Sequence, residues 1–284
     1  MTVVVKVGGA RAVDPEGALA DVARLREQGE AVVVVHGGST KVDDTLERMG
    51  VEPEYVETPS GVVGRFTDEA TMEVFEMAFG HLNTRLVAGL QSQGVDAVGL
   101  NGVDGKLLYG PRKSAVRVFE DGTKKIRRGD HSGTIKQVNV ELLESLLEDG
   151  YTPVAAPPMA GDDDGEIIAV NTDADRSAAA IAGALGATLV LLTDVDGVYA
   201  DPDDPDTLIE RVETPDDWAA LEDAAEGFMS RKTMAVEEAL TDGAPEAVIA
   251  GANAETPITS ALAESGTHVY ASALEPADQQ EKSP

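Results

Sequence analysis

The chain contains no cysteine. Disulfide frameworks and thiolate metal sites are therefore excluded. Aromatic residues make up only 4% of it, so the core must be built from aliphatic side chains. Positive charge is also scarce: 22 Lys and Arg stand against 52 Asp and Glu, a formal net charge of −30. That balance argues against nucleic acid or an anionic membrane as partner. Acidic residues spread along the whole chain fit a surface adapted to high salt, as in a halophilic protein. No apolar run approaches the ~20 residues of a membrane span. The sequence opens at once on the strand-like TVVVKV, without the charged and apolar regions of a secretory leader, so the cytoplasm is the expected compartment. The four histidines show no metal-ligand spacing, and no protein metal site is expected.

What is present is α/β patterning. TVVVKV and AVVVV read as buried strands. Between them, Asp14 can cap a helix whose first turn holds Pro15 and whose end is closed by Gly29. Continuous apolar strands separated by a helix predict a mainly parallel sheet covered on both faces. TDEATMEVFEMAFGHLNTRLVAGLQSQG predicts a long helix and VDAVGL a strand. The stretch from Leu107 to about Ile135 predicts β-hairpins, with a turn at Asp121-Gly122. VELLESLLEDG predicts a helix and TPVAAP a strand. The second half continues with a helix over DADRSAAAIAGALG, a strand over ATLVLLTDV and a helix around Thr233 to Leu240. The strand EAVIAG, the helix TPITSALAES and the strand THVYAS follow. The expected division is an N-terminal lobe at residues 1–170 and a C-terminal lobe at 171–273. The boundary falls within 161–175, and a frayed tail covers 274–284.

Four short segments carry chemistry. KVGG puts Lys6 at a strand end and Gly8-Gly9 in the following turn, where backbone N–H groups can approach anionic oxygens. HGGS repeats the device with Gly37 and Gly38; its His36 reads as a structural turn residue. NTDAD places Asn171, Asp173 and Asp175 at a helix start, where Asp173 can serve as a cap and Asp175 can bridge two lysines. GFMSRKT brings Lys232 near a helix N-terminus, whose amides favour phosphate. GRFTD sets Arg65 just before the long helix, in place either for a substrate carboxylate or for a surface ion pair. LTDVDGVYADPDDPD follows a strand and can form a loop around a nucleotide or a plain acidic surface loop. No GxxxxGK[ST] motif is present, so the phosphates are held in some way other than a P-loop.

One region breaks the acidic pattern. Between Lys106 and Lys136 lie nine basic residues, Lys106, Arg112, Lys113, Arg117, Lys124, Lys125, Arg127, Arg128 and Lys136, opposed only by Glu120, Asp121 and Asp130. A basic island on so acidic a chain can steer an anionic substrate, ATP or an acidic protein. It can equally pair with acidic neighbours or form an oligomer contact.

In this order the segments resemble the amino-acid kinase family, particularly its N-acetylglutamate kinase branch, from Lys6 to about Tyr270. The resemblance implies an open αβα sandwich with a mainly parallel central sheet and β-hairpins in the N-terminal lobe. That lobe would bind the acyl acceptor and the C-terminal lobe ATP with Mg²⁺, for transfer of the γ-phosphoryl group to a side-chain carboxylate. By motif, Lys6 and Lys232 match the lysines that stabilise the transferring group, and Asp175 the aspartate that organises them. Gly37, Gly38, Arg65 and Asn171 match acceptor-binding positions. Gly8 and Gly9 lie toward the phosphates; Thr193, Asp194, Gly197 and Tyr199 fall in the nucleotide-binding segment. A homodimer is implied. With no long helix ahead of TVVVKV, an arginine-controlled hexamer is not expected.

Two departures bear on the acceptor. Acetylglutamate kinases usually show RVT where this chain has GRFTD, and a third glycine where it has Ser39. SGVVGRFTDEATMEVF, RRGDHSGTIKQVNVELL and NTDADRSAAAIAGAL look closer to kinases that act on glutamate or 2-aminoadipate attached to a LysW-type carrier protein. Such carriers are small and strongly acidic, which suits the basic island as their dock. The alternatives are N-acetylglutamate kinase, a non-catalytic sensor of the same fold and, more distantly, a kinase of carbamate, aspartate or a nucleoside monophosphate. Glutamate and 2-aminoadipate differ by one methylene, worth only ~1–3 kcal/mol in a pocket, and both remain open.

Overall fold

Two valine-rich strands, β1 (Thr2–Val7) and β2 (Ala31–His36), run side by side at the centre of the molecule. The structure is a computed structural model and describes residues 1–8, 15–59, 61, 63–120 and 122–275. Gly9, Asp14, Asp121 and the tail from residue 276, all singled out above, lie outside the described residues. The connection between the two central strands is α1 (Pro15–Glu27). Next come α2 (Ser39–Arg48), a small hairpin of β3 (Tyr55–Glu57) and β4 (Val63–Arg65), and the long α3 (Glu69–Ser92), capped by Asp68. After β5 (Ala97–Gly102), β6 (Leu108–Glu120) and β7 (Thr123–Gly133) form an extended antiparallel ribbon. Then follow β8 (Gln137–Val138), α4 (Val140–Glu148), β9 (Thr152–Asp163) and β10 (Glu166–Val170).

The remaining elements are α5 (Ala174–Leu185), β11 (Thr188–Thr193), β12 (Arg211–Val212), α6 (Pro215–Ala224), α7 (Phe228–Thr241), β13 (Glu246–Gly251), α8 (Pro257–Ala263) and β14 (Thr267–Tyr270). The sheet order is β12-β14-β13-β11-β1-β2-β9-β6-β7, with β5 and β10 also on β9 and β8 on β6. The pairs from β13 through β11, β1 and β2 to β9 are parallel, which is the mainly parallel sheet expected. Its antiparallel pairs are β13–β14, β9–β10, β6–β7 and β6–β8.

Alternation along β1 and β2 divides the core. Val3, Val5, Val7, Val32 and Val34 pack with Leu19, Val22, Leu86, Leu90 and Ile258 of α1, α3 and α8. Val4, Val33 and Val35 pack with Ala178, Ile181, Val236 and Leu221 of α5, α7 and α6. The result is the αβα sandwich, filled almost entirely with Val, Leu, Ile and Ala. One polar strut joins its first layer: Asp21 of α1 is fully buried and accepts the N–H groups of Ile258 and Thr259 at 2.7 Å each, capping α8.

Three local features bear on function. Residues 161–170, within the stretch 161–175 where the lobe boundary is expected, form the end of the β9–β10 hairpin in the sheet, because Asp164 and Gly165 adopt positive φ and turn the chain back. The helix carrying Lys232 begins at Phe228 rather than near Thr233, so Lys232 lies one turn inside it. The basic ribbon is a real projection from β9, with Gly122 at φ +74° in its turn. No helix among the described residues is long and apolar enough to cross a membrane.

Candidate active site

Lys6 is the only charged residue of β1. It sits in register between Val35 and Leu191, on the sheet face covered by α5 and α7. There it meets Asp175 from the first turn of α5. Lys6 Nζ lies 2.8 Å from Asp175 Oδ1, and Lys232 Nζ donates to Asp175 Oδ2 at 3.0 Å. All three residues are buried. The Lys6 contact is an ion pair at hydrogen-bond distance, although Oδ1 is buried and has no well-aligned donor. Burial alone would push the Asp175 carboxyl up, but the two ammonium groups outweigh it and hold it at about 2. Burial, reinforced by Lys6, pushes Lys232 below the ordinary lysine value against the pull of Asp175. Two cations share one carboxylate, so the centre carries a surplus positive charge in a low-dielectric setting. Such a centre calls for an anion.

The helix termini point the same way. The N-terminus of α5 is closed by Asp173, whose Oδ1 accepts the N–H groups of Asp175 (2.8 Å) and Arg176 (3.1 Å). Those of α2 and α7 have Gly38 and Gly227 at the cap, no side-chain cap bond and no acid in the first turn. Two longer helices around the site thus leave amide ends open, an arrangement that favours phosphate or carboxylate. The Arg176–Glu238 pair, with Nε donating at 2.9 Å, fixes α5 against α7 beside the Asp175–Lys232 bridge.

The acceptor candidates divide. Gly37 does not offer its amide: the N–H donates to Val7 O at 3.0 Å, extending the β1–β2 ladder by one residue. Gly38 remains, and a Cβ there would come within 2.8 Å of Leu82 Cδ1 and 3.0 Å of Phe79. Side chains of α3 therefore pack closely over Gly38, and a larger residue there would have to displace the tip of Leu82 and the edge of the Phe79 ring. His36 is buried and stacks on Phe79. Burial holds its pKa down at about 4, against a bond to Gly37 O. It is a neutral turn residue, as expected. Arg65 is tied to Asp43, and its Nη2 donates to Tyr55 Oη at 2.9 Å, with the guanidinium over the Tyr55 and Phe75 rings. Neither Asp43 nor Tyr55 was anticipated from sequence. Burial pushes the Tyr55 phenol up, opposed by the positive charge of Arg65. Asn171 stands between β10 and α5 and donates Nδ2 to Thr67 Oγ1 at 3.1 Å.

At the same edge of the sheet, Thr193 ends β11; its hydroxyl donates to Asp194 Oδ1 at 3.1 Å. Gly197 is held by packing, since a Cβ would lie 2.7 Å from both Leu208 Cδ1 and Thr267 Oγ1. Tyr199 is half-buried and bridges to Leu208. Gly8 is half-buried directly after β1. No cluster of three His, Asp or Glu side chains among the described residues could hold a metal ion by itself.

The basic ribbon has two unlike faces. Val116, Val118 and Arg127 share the face toward the body. There Val118 is buried, and Arg127 lies over the Phe66 ring and pairs with Glu54. The opposite face carries Arg117 beside Ile126, Phe119 beside Lys124, and Arg128 beside Ala115. Ile126 is 68% exposed and Phe119 42%. Arg112, Lys125 and Arg127 have acidic partners; among the described residues Lys106, Lys113, Arg117, Lys124, Arg128 and Lys136 have none.

Residues 1–251 match the amino acid kinase family. Over 274 residues the chain is 42% identical to the LysW-aminoadipate kinase of Thermus thermophilus, covering 94% of this chain and 99% of that one. Over 250 residues it is 47% identical to the acetylglutamate kinase of Methanopyrus kandleri, covering 87% and 93%. Among solved structures it resembles N-acetylglutamate synthase from Neisseria gonorrhoeae, complexed with coenzyme A and N-acetyl-glutamate, with a TM-score of 0.75 at 24% identity. That match covers 95% of this chain but only 59% of the synthase, and it concerns the fold.

Proposed function

The chain belongs to the amino acid kinase family, and we propose that it phosphorylates the side-chain carboxylate of glutamate or 2-aminoadipate held on a small acidic LysW-type carrier protein. The product is an acyl phosphate of arginine or lysine biosynthesis. The observation that carries the kinase chemistry is the buried Lys6–Asp175–Lys232 bridge between two open helix termini. A carboxylate oxygen attacks the γ-phosphorus and the β-phosphate oxygen leaves; no proton has to be removed. Catalysis of this kind is positioning and charge neutralisation. Lys6 and Lys232 neutralise the phosphoryl oxygens, and Asp175 holds them there. With its carboxyl at about 2, Asp175 is a fixed anion rather than a base. Gly8 and the open end of α7 lie toward the phosphates, and Thr193, Asp194, Gly197 and Tyr199 toward the nucleotide. Mg²⁺ would be held chiefly by the nucleotide's own phosphates and would add charge neutralisation there.

In this reading residues 1–170 hold the acceptor and residues 171–273 the ATP. Gly38, Asn171 and Arg65 receive the acceptor end, whose carboxylate competes with Asp43 for Arg65. The outward ribbon face docks the carrier, because it presents unpaired cations around two exposed apolar side chains, a combination suited to an acidic protein surface. A homodimer in the cytoplasm belongs to the same reading. The acetylglutamate reading retains support from the 47% identity to the Methanopyrus enzyme. The deciding experiment is ATP turnover at high salt with free N-acetylglutamate and, separately, an acidic carrier bearing glutamate or 2-aminoadipate, trapping acyl phosphate with hydroxylamine. Turnover confined to the carrier supports the proposal. Efficient turnover of free N-acetylglutamate alone overturns it.

A further inference from the structure

The basic ribbon and the acceptor end of the site meet in one interlock around Thr67. This residue is wholly buried, two positions after Arg65. Its N–H donates to Asp130 Oδ1 (3.2 Å), its carbonyl accepts from His131 N–H (2.7 Å), and its hydroxyl oxygen accepts from Asn171 Nδ2 (3.1 Å). Asn171 in turn donates its backbone N–H to His131 O at 2.7 Å and accepts from Gly133 N–H at 2.8 Å. Asp130, 1% exposed, also accepts from Ser132 N–H (3.1 Å) and the Ser132 hydroxyl. Arg112 Nε donates to the Asp130 carbonyl at 3.1 Å. The root of the ribbon is thus stitched both to the segment carrying Arg65 and to Asn171 itself.

A buried carboxylate spent wholly on this loop has no place in phosphoryl transfer. Its cost in desolvation is met only because it accepts three hydrogen bonds. The outer ribbon, where Arg117, Lys124 and Arg128 lie, is separated from the root by a register shift between Lys113 and Ala115. Such a bulge lets a ribbon bend at a defined place. A load on the outer face therefore bears on residues 130–133, and through them on Asn171.

We propose that Thr67 and Asp130 are positioning residues that couple carrier docking on the ribbon to the grip of Asn171 and Arg65 on the acceptor. This rests on the carrier-bound reading of the substrate. Coupling of this kind is established only by non-additivity. The test is a double-mutant cycle between Thr67→Val, which keeps the shape and removes the hydroxyl, and an outer-face variant combining Arg117→Ala, Lys124→Ala and Arg128→Ala. The kcat and the KM values for carrier and for ATP are measured with carrier-bound acceptor, and wild type is also assayed on free N-acetylglutamate as a control.

The expected loss in kcat on the carrier for Thr67→Val is ~5-fold, one neutral hydrogen bond, with recovery in Thr67→Ser. The outer-face variant should lower kcat as well as raise KM, and the two sets should be non-additive in kcat by ~3-fold or more. In the same cycle the KM for ATP, which binds away from the interlock in this reading, should be additive. Ser132→Ala, which removes one bond of Asp130 without touching Thr67, should show the same non-additivity on a smaller scale and serves if Thr67→Val does not fold. Additive effects on the carrier with either variant overturn the coupling while leaving the substrate reading intact. A wild-type enzyme active only on the free acceptor overturns both, and the two failures are told apart by that control.

Discussion

Replacing Asp175 by Asn should expose how the centre is held together. The Asp carboxyl falls from 3.8 to about 2 on folding, despite a burial that alone would raise it. That shift corresponds to about 2 kcal/mol of stability linked to protonation. The group's folded pKa is depressed, so its contribution is fully present above the unfolded value and is lost as pH falls through the folded one. The window is therefore from ~pH 5 down through ~2. The Asn variant loses more than the linkage term, because it leaves Lys6 and Lys232 buried with no counter-charge; breaking such a pair costs ~3–5 kcal/mol. Denaturant unfolding of wild type and Asp175→Asn at pH 7, 5 and 3 should show the largest gap at pH 7 and a narrower one at pH 3. Adding Lys232→Met to Asp175→Asn removes one of the stranded cations and should restore part of the stability, while kcat stays at least ~100-fold down, by analogy with the loss of a transition-state donor. A gap that does not change with pH, or an Asn variant as stable as wild type, would refute the argument that the two ammonium groups and not local packing set the state of Asp175.

Three further outcomes are expected. Lys232 is held below the usual lysine value, first by burial and then by Lys6, and acts protonated; kcat should fall on the alkaline side at lower pH than an ordinary lysine titrates, and Lys232→Arg should move that limb upward in a pH–rate profile. In Gly197→Ala the new Cβ meets Thr267 N at 3.1 Å as well as its hydroxyl, and backbone cannot yield cheaply; thermal unfolding should show a loss of ~1–3 kcal/mol, accompanied by a raised KM for ATP if residues 194–199 face the nucleotide. Asp21→Ala frees two buried N–H groups of α8; a loss of ~2 kcal/mol or more in denaturant stability is expected, with the KM of the acceptor unmoved, since α8 and the acceptor end lie on different parts of the sheet.

The parts of this molecule that could be read from sequence are those where one physical signal dominates. The central strands announce themselves as unbroken valine runs, and α3 by a dense apolar stripe over six turns. The grouping of Lys6, Asp175 and Lys232 was legible because each lies in a short motif near a strand end or a helix start, and the order of those motifs resembles that of the amino-acid kinases. Elements went unseen where the signal is thin. Helix α2 buries only Val42 and Leu46 among its described side chains, a single i, i+4 pair in an otherwise polar stretch. Helix α6 could have been found: Thr214 and Asp217 form a capping box around Pro215, a local signature that needs no tertiary knowledge. The strands β3 and β4, three residues each, offer no period to detect.

The site shows the same division. Which residues are charged is written in the chain; which of them neutralise one another depends on contacts between positions far apart in it. Arg65 could be read as a ligand for a substrate carboxylate or as one half of an ion pair, but Asp43, 22 residues earlier, was not visible as its partner. The amide of Gly37 is lost to Val7 because the β1–β2 ladder continues into the turn, a matter of register that composition cannot report. The basic island was legible as excess charge and illegible as two faces, since the bulge after Lys113 resets the alternation on which any sequence-based assignment of faces depends. What the folded chain adds is therefore mainly the pairing of charges: it separates Arg127, spent on Glu54, from Arg117, Lys124 and Arg128, which have no acidic partner among the described residues.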